Sequence, residues 1–511
     1  MRRLGSFDRR RTPVDRKAHN ELCQRAANPF RRDIPMTANY DALVIGSGPN
    51  GLCAAITLAR AGRSVLVVEA SSHIGGGLHS AELTEPGFIH DVCSAVHPLA
   101  VATSFFRSLP LESHGLEWIQ PDLPLAHPLD LGQSAVLDRS LARTGYIDRD
   151  GALHAPDQGY VRLMQPFVKH WAAIERDVLP PIGIPRHPLT ALHFALNAVQ
   201  PASWLARHAL QSAESRALFA GIAAHSFLPL TNWGTSAVAL VLAAAGHVAG
   251  WPIPKGGSRS IALALASYLR SLGGVIATGW RVRSLEELPS APMIFCDLGP
   301  AALAQIAASL LPDGFRRALE RYRYGAAAFK LDWALREPIP WQNSACRRAG
   351  TVHVGGALEE MIESERAPAK GFPPAIPFVL LSQPSLFDSS RAPPGKHTAW
   401  AYCHVPNGCN IDMTSRMEAQ VERFAPGFRD LIMARSVRSP EDFERGNANL
   451  VGGDISGGSN NLRQLLFRPT WRRYRTPVRG LYLCSASTPP GPGVHGLCGF
   501  FAARAALRDR P

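Results

Sequence analysis

Between Tyr40 and Glu69 the chain passes through a short apolar strand, the glycine run Gly46-Ser47-Gly48-Pro49-Asn50-Gly51, a helical stretch from Leu52 to Ala61 and a β-branched run, Ser64 to Val68, that closes on an acid. No other segment restricts the fold as strongly, because each part of this β-α-β unit has a mechanical task. Gly46 permits the tight turn, Gly48 lets backbone N–H groups approach a pyrophosphate, and Gly51 lets helix and strand pack closely. The helix N-terminus supplies the positive end of its dipole, and Gly62 ends the helix. Glu69, eighteen residues after Gly51, stands where a carboxylate can accept both ribose hydroxyls of an adenosine. The unit predicts dinucleotide binding; the reading it leaves open is a glycine-rich turn in another α/β fold.

Length and composition narrow the rest. With 511 residues, 46% of them hydrophobic, the chain has material for a large core and about three structural units. Charged residues are 19% and mean hydropathy is -0.04, yet no uncharged apolar run reaches the roughly eighteen residues of a membrane span. The nine cysteines are odd in number, scattered and free of any C-x-x-C pair, which predicts reduced thiols, a reducing compartment and no zinc site. The net charge of +13 does not predict a nucleic-acid surface, since residues 1–35 hold ten Lys/Arg against four acids and the body is only mildly basic. That segment lacks the apolar h-region of a signal peptide. Met36 directly precedes the first strand, so two readings of residues 1–35 stay open: a disordered tail, or a gene start placed too far upstream.

Three further motifs follow: Gly75-Gly76-Gly77-Leu78-His79-Ser80 with Pro86-Gly87-Phe88-Ile89-His90-Asp91 behind it; Trp251-Pro252-Ile253-Pro254-Lys255-Gly256-Gly257-Ser258, which opens a helix from about Arg259 to Leu272; and a strand, a proline-glycine loop and a helix between Gly480 and Leu507. On these residues the sequence resembles the phytoene desaturase-like flavoproteins, including the phytoene dehydrogenase-related and pyridine nucleotide-disulfide oxidoreductase domain-containing relatives, from about Tyr40 to the C-terminus. The resemblance implies an α/β fold, with a Rossmann-like FAD-binding domain of the amine-oxidase type formed by residues 36–96, 250–300 and 475–511. It implies a discontinuous α+β substrate domain from 97–249 and 301–474. It further implies non-covalent FAD, contacted by Gly46, Ser47, Gly48, Pro49, Asn50, Gly51, Glu69 and Ala70, by Gly75, Gly76, Gly77 and His79 near the pyrophosphate, by Val282 beside the adenine, and by Gly491, Gly493, Val494 and His495 at the flavin. Gly77 stands where many members carry Arg, and Ser485-Ala486-Ser487 replaces the usual Gly-Ala-Gly.

No second G-x-G-x-x-G occurs in mid-chain, so a tightly bound NAD(P) is not expected. With FAD as the electron carrier, the resemblance implies hydride abstraction from a lipophilic, carotenoid- or isoprenoid-like substrate, with quinone or oxygen as acceptor. His495 is the candidate side chain at the flavin edge. Asp454, in Gly452-Gly453-Asp454-Ile455-Ser456-Gly457-Gly458, reads either as a base or as a turn cap. Ser236 to Ala249 reads as a core helix, a channel wall or a membrane-surface patch. No metal pattern is visible among the eighteen histidines. The expected location is cytoplasmic, with peripheral membrane contact and no nucleic-acid partner. Two other functions remain open: a flavin-dependent isomerase of the same family, and a non-catalytic flavin-bound interaction protein.

Overall fold

The computed structural model describes residues 39–509, so both readings of residues 1–35 lie outside the described residues. Five short strands, each rich in β-branched or other apolar residues, form a wholly parallel sheet in the order Val275–Ala277, Val65–Val68, Ala42–Ile45, Met293–Cys296, Leu481–Leu483. Alternation along each strand sends side chains to two separate cores. Ala42, Val44, Val65, Val67 and Phe295 pack under the helices Pro49–Arg60, Arg259–Ser271 and Leu497–Asp509. Leu43, Ile45, Leu66, Val68 and Leu483 pack on the opposite face with Leu303, Ile306 and Leu319, from the helices Pro300–Ile306 and Asp313–Glu320. A parallel sheet covered on both faces is the architecture that such continuous apolar runs require.

A second, nine-stranded sheet runs in the order Ile432–Arg438, Ala327–Leu335, His397–Val405, Val379–Ser382, Ala349–Val354, Leu123–Pro128, Ser134–Leu137, Gly145–Ile147, Leu153–His154. Its pairs are antiparallel, apart from the parallel pair of Ala349–Val354 with Leu123–Pro128. One face carries the core of the Thr414–Phe424 helix. The other is roofed by helices between residues 158 and 249.

Among those helices, Thr235–Ala249 buries Ala239, Leu240 and Ala243–Gly246 in the core, while Ala237, Val238, Val241 and Leu242 line a large cavity. It is apolar all round because one side meets the core and the other meets the cavity. Among the described residues no helix is long and apolar enough to cross a membrane.

Candidate active site

The first turn is a close approach of backbones. Gly46 has φ +98, and a Cβ there would lie 3.0 Å from the carbonyl oxygen of Asp297. A Cβ on Gly51 would lie 2.2 Å from the carbonyl oxygen of Gly46, and one on Gly76 would lie 3.2 Å from the Cα of Gly48. The second glycine cluster is therefore stacked on the first, and no side chain separates them. Gly75 ties the two together through its N–H, which donates to the carbonyl of Ser47 at 3.0 Å. The Oε2 of Glu69 accepts from the N–H of Ser47 at 2.8 Å and from its hydroxyl at 2.7 Å, and Oε1 accepts from the N–H of Ser71 at 2.9 Å. These bonds fix the carboxylate at the strand end while leaving it half-buried.

Around this turn opens a cavity of about 1720 Å³. Gly46, Gly48, Pro49, Asn50, Glu69, Ala70, Gly76, Gly77, His79 and Val282 line it, whereas Ser47, Gly51 and Gly75 stand behind and hold the turn together. The side-chain oxygen of Asn50 is buried without a partner at the start of the helix, polar capacity left free in the cradle.

The same cavity reaches the C-terminal motif, where Gly493, Val494 and His495 line it. His495 is 1% exposed, and its Nδ1 accepts the N–H of Leu497 at 3.0 Å, so it caps the helix Leu497–Asp509. Burial pushes its imidazole down to about 4, against the pull of the Pro492 and Gly491 carbonyls. The ring is therefore neutral at physiological pH. Gly491 does not line the cavity; it backs onto the guanidinium of Arg468.

Arg468, fully buried, donates to Asn460 Oδ1 at 3.1 Å, to the Tyr322 hydroxyl at 3.2 Å and to the carbonyls of Ser456, Gly457 and Gly458. It binds the 456–458 loop to the flavin motif, helped by the Ser487 hydroxyl on the Gly457 carbonyl at 2.7 Å. Asp454 belongs to this scaffold. Its carboxylate accepts the N–H groups of Gly325 at 2.6 Å, Ser456 at 2.6 Å and Gly458 at 3.1 Å, and it does not line the cavity. Of its two sequence readings the geometry is that of the turn cap, since a carboxylate consumed by three backbone donors has no path to a reacting C–H bond.

Several residues of the site carry no motif. Asp297 follows the Met293–Cys296 strand; its Oδ2 accepts the N–H of Gly51 at 2.9 Å and would stand 2.6 Å from a Cβ on Gly48. Burial, with Glu69 nearby, pushes this carboxyl up to about 7, opposed by the Gly51 N–H. Asp91, by contrast, closes the Pro86–Asp91 motif; it is held by Arg391 at 2.6 Å, by the Ser80 hydroxyl at 2.7 Å and by the Ser258 N–H at 2.7 Å, which locks the Gly256-Gly257 turn under the cradle.

On the large sheet, Lys330 faces the cavity beside Trp400, 5.7 Å from its ring centre, and is ion-paired with Asp332. Burial lowers the Lys330 pKa, with the Asp332 carboxylate opposing. A lysine and an aspartate two apart in an otherwise apolar strand, in a chain with six lysines, was the available signal. His225, also in the wall, had none.

The NAD(P)-binding Rossmann-like domain model matches residues 44–109. Over 92% of this chain and 94% of its own length, the mouse (Mus musculus) pyridine nucleotide-disulfide oxidoreductase domain-containing protein 2 is 26% identical. A lycopene-forming phytoene desaturase from a Paracoccus species is 23% identical over 90% of this chain and 95% of its own. Along nearly its whole length the chain is similar to the phytoene desaturase-like flavoproteins. Among solved structures, putrescine oxidase with putrescine bound superposes with a TM-score of 0.58 at 16% identity, covering 92% of this chain and 99% of the oxidase, a likeness of fold alone.

The cofactor of this phytoene desaturase-like protein is FAD, and the cradle fits it. Glycines abut where a pyrophosphate must approach backbone, a carboxylate waits at the strand end, and a helix N-terminus closes the far end. The cavity exceeds the roughly 300–1,000 Å³ of a single-ligand site, leaving room for a second molecule beside the dinucleotide. The protein is thus a flavin-type oxidoreductase.

Proposed function

We propose that this oxidoreductase dehydrogenates a lipophilic, isoprenoid-like substrate, binding FAD non-covalently and passing electrons on to a quinone or oxygen. The observation that carries the reading is the continuity of one cavity, from the glycine cradle past His495 to an apolar wall and an apolar mouth. Bound FAD supplies the two-electron acceptor. With it bound, dehydrogenation would place the substrate's hydride on that acceptor and a proton on water, would leave a C=C bond, and would need the quinone or oxygen to take the two electrons.

The chain's own residues do the positioning. Phe194, Phe227, Val241, Leu380, Trp400 and Phe443 form much of the wall on the substrate side, where burial of apolar surface supplies binding at about 25 cal/mol per Å². Partly exposed Ile182, Leu462 and Leu466 also line the cavity, which places an opening on this side. Around it Ile184 is 98% exposed, Leu189 82% and Trp471 73%, with Leu192, Leu196 and Phe467 also exposed. Leu189, Leu192 and Leu196 share one face of the Pro188–Ala198 helix. Arg473 donates to the Ile182 carbonyl at 2.8 Å and so joins the Trp471 segment to this rim. Exposed Arg186, Arg463 and Arg472 stand close by in sequence. An apolar rim with arginines fits the headgroup zone of an anionic membrane, from which a lipid substrate enters directly.

Organic extraction of the purified protein, followed by mass spectrometry, tests the reading. An isoprenoid or similar apolar lipid should be recovered, and incubation of that lipid with the FAD-loaded protein and a quinone should yield a product lighter by two hydrogens. A product of unchanged mass would instead support the isomerase reading.

A further inference from the structure

The register of the large sheet brings four side chains into one row on its cavity face: His353 opposite Leu380, Leu380 opposite Tyr402, and Tyr402 opposite Lys330. Leu380, Tyr402 and Lys330 line the cavity; His353 is wholly buried at the end of the row. Above it stands His225, the residue that ends the Ala213–Ala224 helix, and the two rings meet Nε2 to Nε2 at 3.0 Å. A Cβ on Gly221, one turn earlier, would lie 2.6 Å from the Nδ1 of His353, so the helix can approach this close only with glycine there. His225 itself belongs to the cavity wall, its ring 5.8 Å from that of Trp251.

Burial drives the imidazole of His225 down to about 3 and that of His353 also far down, so both are neutral at physiological pH. Each neutral ring has one N–H. In the shared contact one Nε2 must donate and the other accept. The Nδ1 of His353 is sealed with no partner, and a sealed lone pair is less costly than a sealed N–H, since orphaned buried donors are the rarer case. His353 therefore carries its proton on Nε2 and donates to His225. That assignment leaves the proton of His225 on Nδ1, an atom not among the sealed ones, on a residue that lines the cavity, and no group among the described residues takes it.

The charged groups of this face are engaged with each other, apart from Arg438, whose guanidinium lies over the ring of Phe443. Lys330 pairs with Asp332, and His404 with Glu365 at 2.6 Å behind the ring of Phe227. An uncharged donor in an apolar wall selects an uncharged acceptor. We propose that His225, set in its tautomer by the positioning residue His353, hydrogen-bonds a neutral oxygen of the substrate, so that the molecule bound here is a long apolar chain bearing one carbonyl or hydroxyl group. This rests on the lipophilic reading of the cavity and narrows its substrate class.

The test uses the FAD-loaded full chain and three C15 probes of one skeleton: farnesal, farnesol and farnesene, whose binding is measured by calorimetry. The parent should bind farnesal and farnesol roughly tenfold more tightly than farnesene, the yield of about one net hydrogen bond. H225F should erase that preference while leaving farnesene affinity and flavin content unchanged. H353F, which keeps His225 but removes its orienting partner, should weaken the farnesal preference alone, because farnesol can also donate. The carbonyl stretch of bound farnesal should be lowered in the parent and restored in H225F, a signature that a merely structural histidine would not move. If the parent binds all three alike, or prefers farnesol but not farnesal, the donor assignment is overturned while the lipophilic reading stands. If none of the three binds and a small polar amine does, the lipophilic reading falls first and this proposal with it.

Discussion

Glu69 and Asp297 sit within one glycine turn of each other and do opposite things. Glu69 accepts two N–H groups and a hydroxyl at the strand end, where ribose hydroxyls would reach it. Glu69→Ala should weaken FAD binding roughly 10- to 100-fold, the scale of a lost charge-assisted hydrogen bond. Retention measured by ultrafiltration checks it, and unchanged retention would remove the ribose assignment.

Asp297, pushed up to about 7 mainly by burial, is protonated where ordinary carboxylates are ionised. Its contribution to stability is complete below the usual value of 3.8, declines as the pH rises and is gone above about 7. Ionised, it would also repel a pyrophosphate in the same cradle. The FAD affinity of the parent should therefore fall as pH rises through 7, and Asp297→Asn should flatten that dependence in a pH series of FAD titrations. Glu69 was legible from its spacing after Gly51. Asp297 was not, because what sets it in the cradle is the pairing of its strand with Ala42–Ile45, about 250 residues away in sequence.

At the level of elements, local signals carried furthest. The helix read from Leu52 to Ala61 is Pro49–Arg60, and the one read from Arg259 to Leu272 is Arg259–Ser271. The first helix starts earlier because Pro at its opening position has no N–H to lose and a preset φ. What escaped sequence reading was how helices meet. A Cβ on Gly499, in the Leu497–Asp509 helix, would lie 1.9 Å from the carbonyl oxygen of Asn50 and 2.8 Å from the nitrogen of Ala54. Nothing near Gly499 in sequence announces that contact. Gly499→Ala should force the C-terminal helix off the first one, destabilising the protein by about 1–3 kcal/mol and releasing FAD. Thermal melting with and without added FAD measures both, and an unshifted melting curve would show that the helices part without strain.

For the whole molecule, the nine-stranded sheet was the least legible part. Its strands come from residues 123 to 438 and pair out of sequence order, so period-two patterning alone could not assign their neighbours. Yet that sheet supplies Lys330, Tyr402 and the His353 behind His225, and so most of the chemistry on the substrate side. The exposed rim is a property of the assembled surface too, since the segments of Ile182 and Trp471 are joined only by folding, through the Arg473 bond to the Ile182 carbonyl. Replacing Leu189, Leu192 and Leu196 by Ser should at least halve cosedimentation with vesicles containing anionic lipid, without changing flavin content; equal cosedimentation would remove the membrane-facing role of the rim.

The account as a whole stands on transfer of a hydride from an apolar substrate to the bound flavin. Anaerobic mixing of the FAD-loaded protein with isoprenoid lipids, followed by stopped-flow absorbance, reads that step before any acceptor takes part. The account predicts that at least one such lipid bleaches the flavin and that putrescine does not. Rapid bleaching by putrescine or a small hydroxy acid, with every lipid inert, would contradict it.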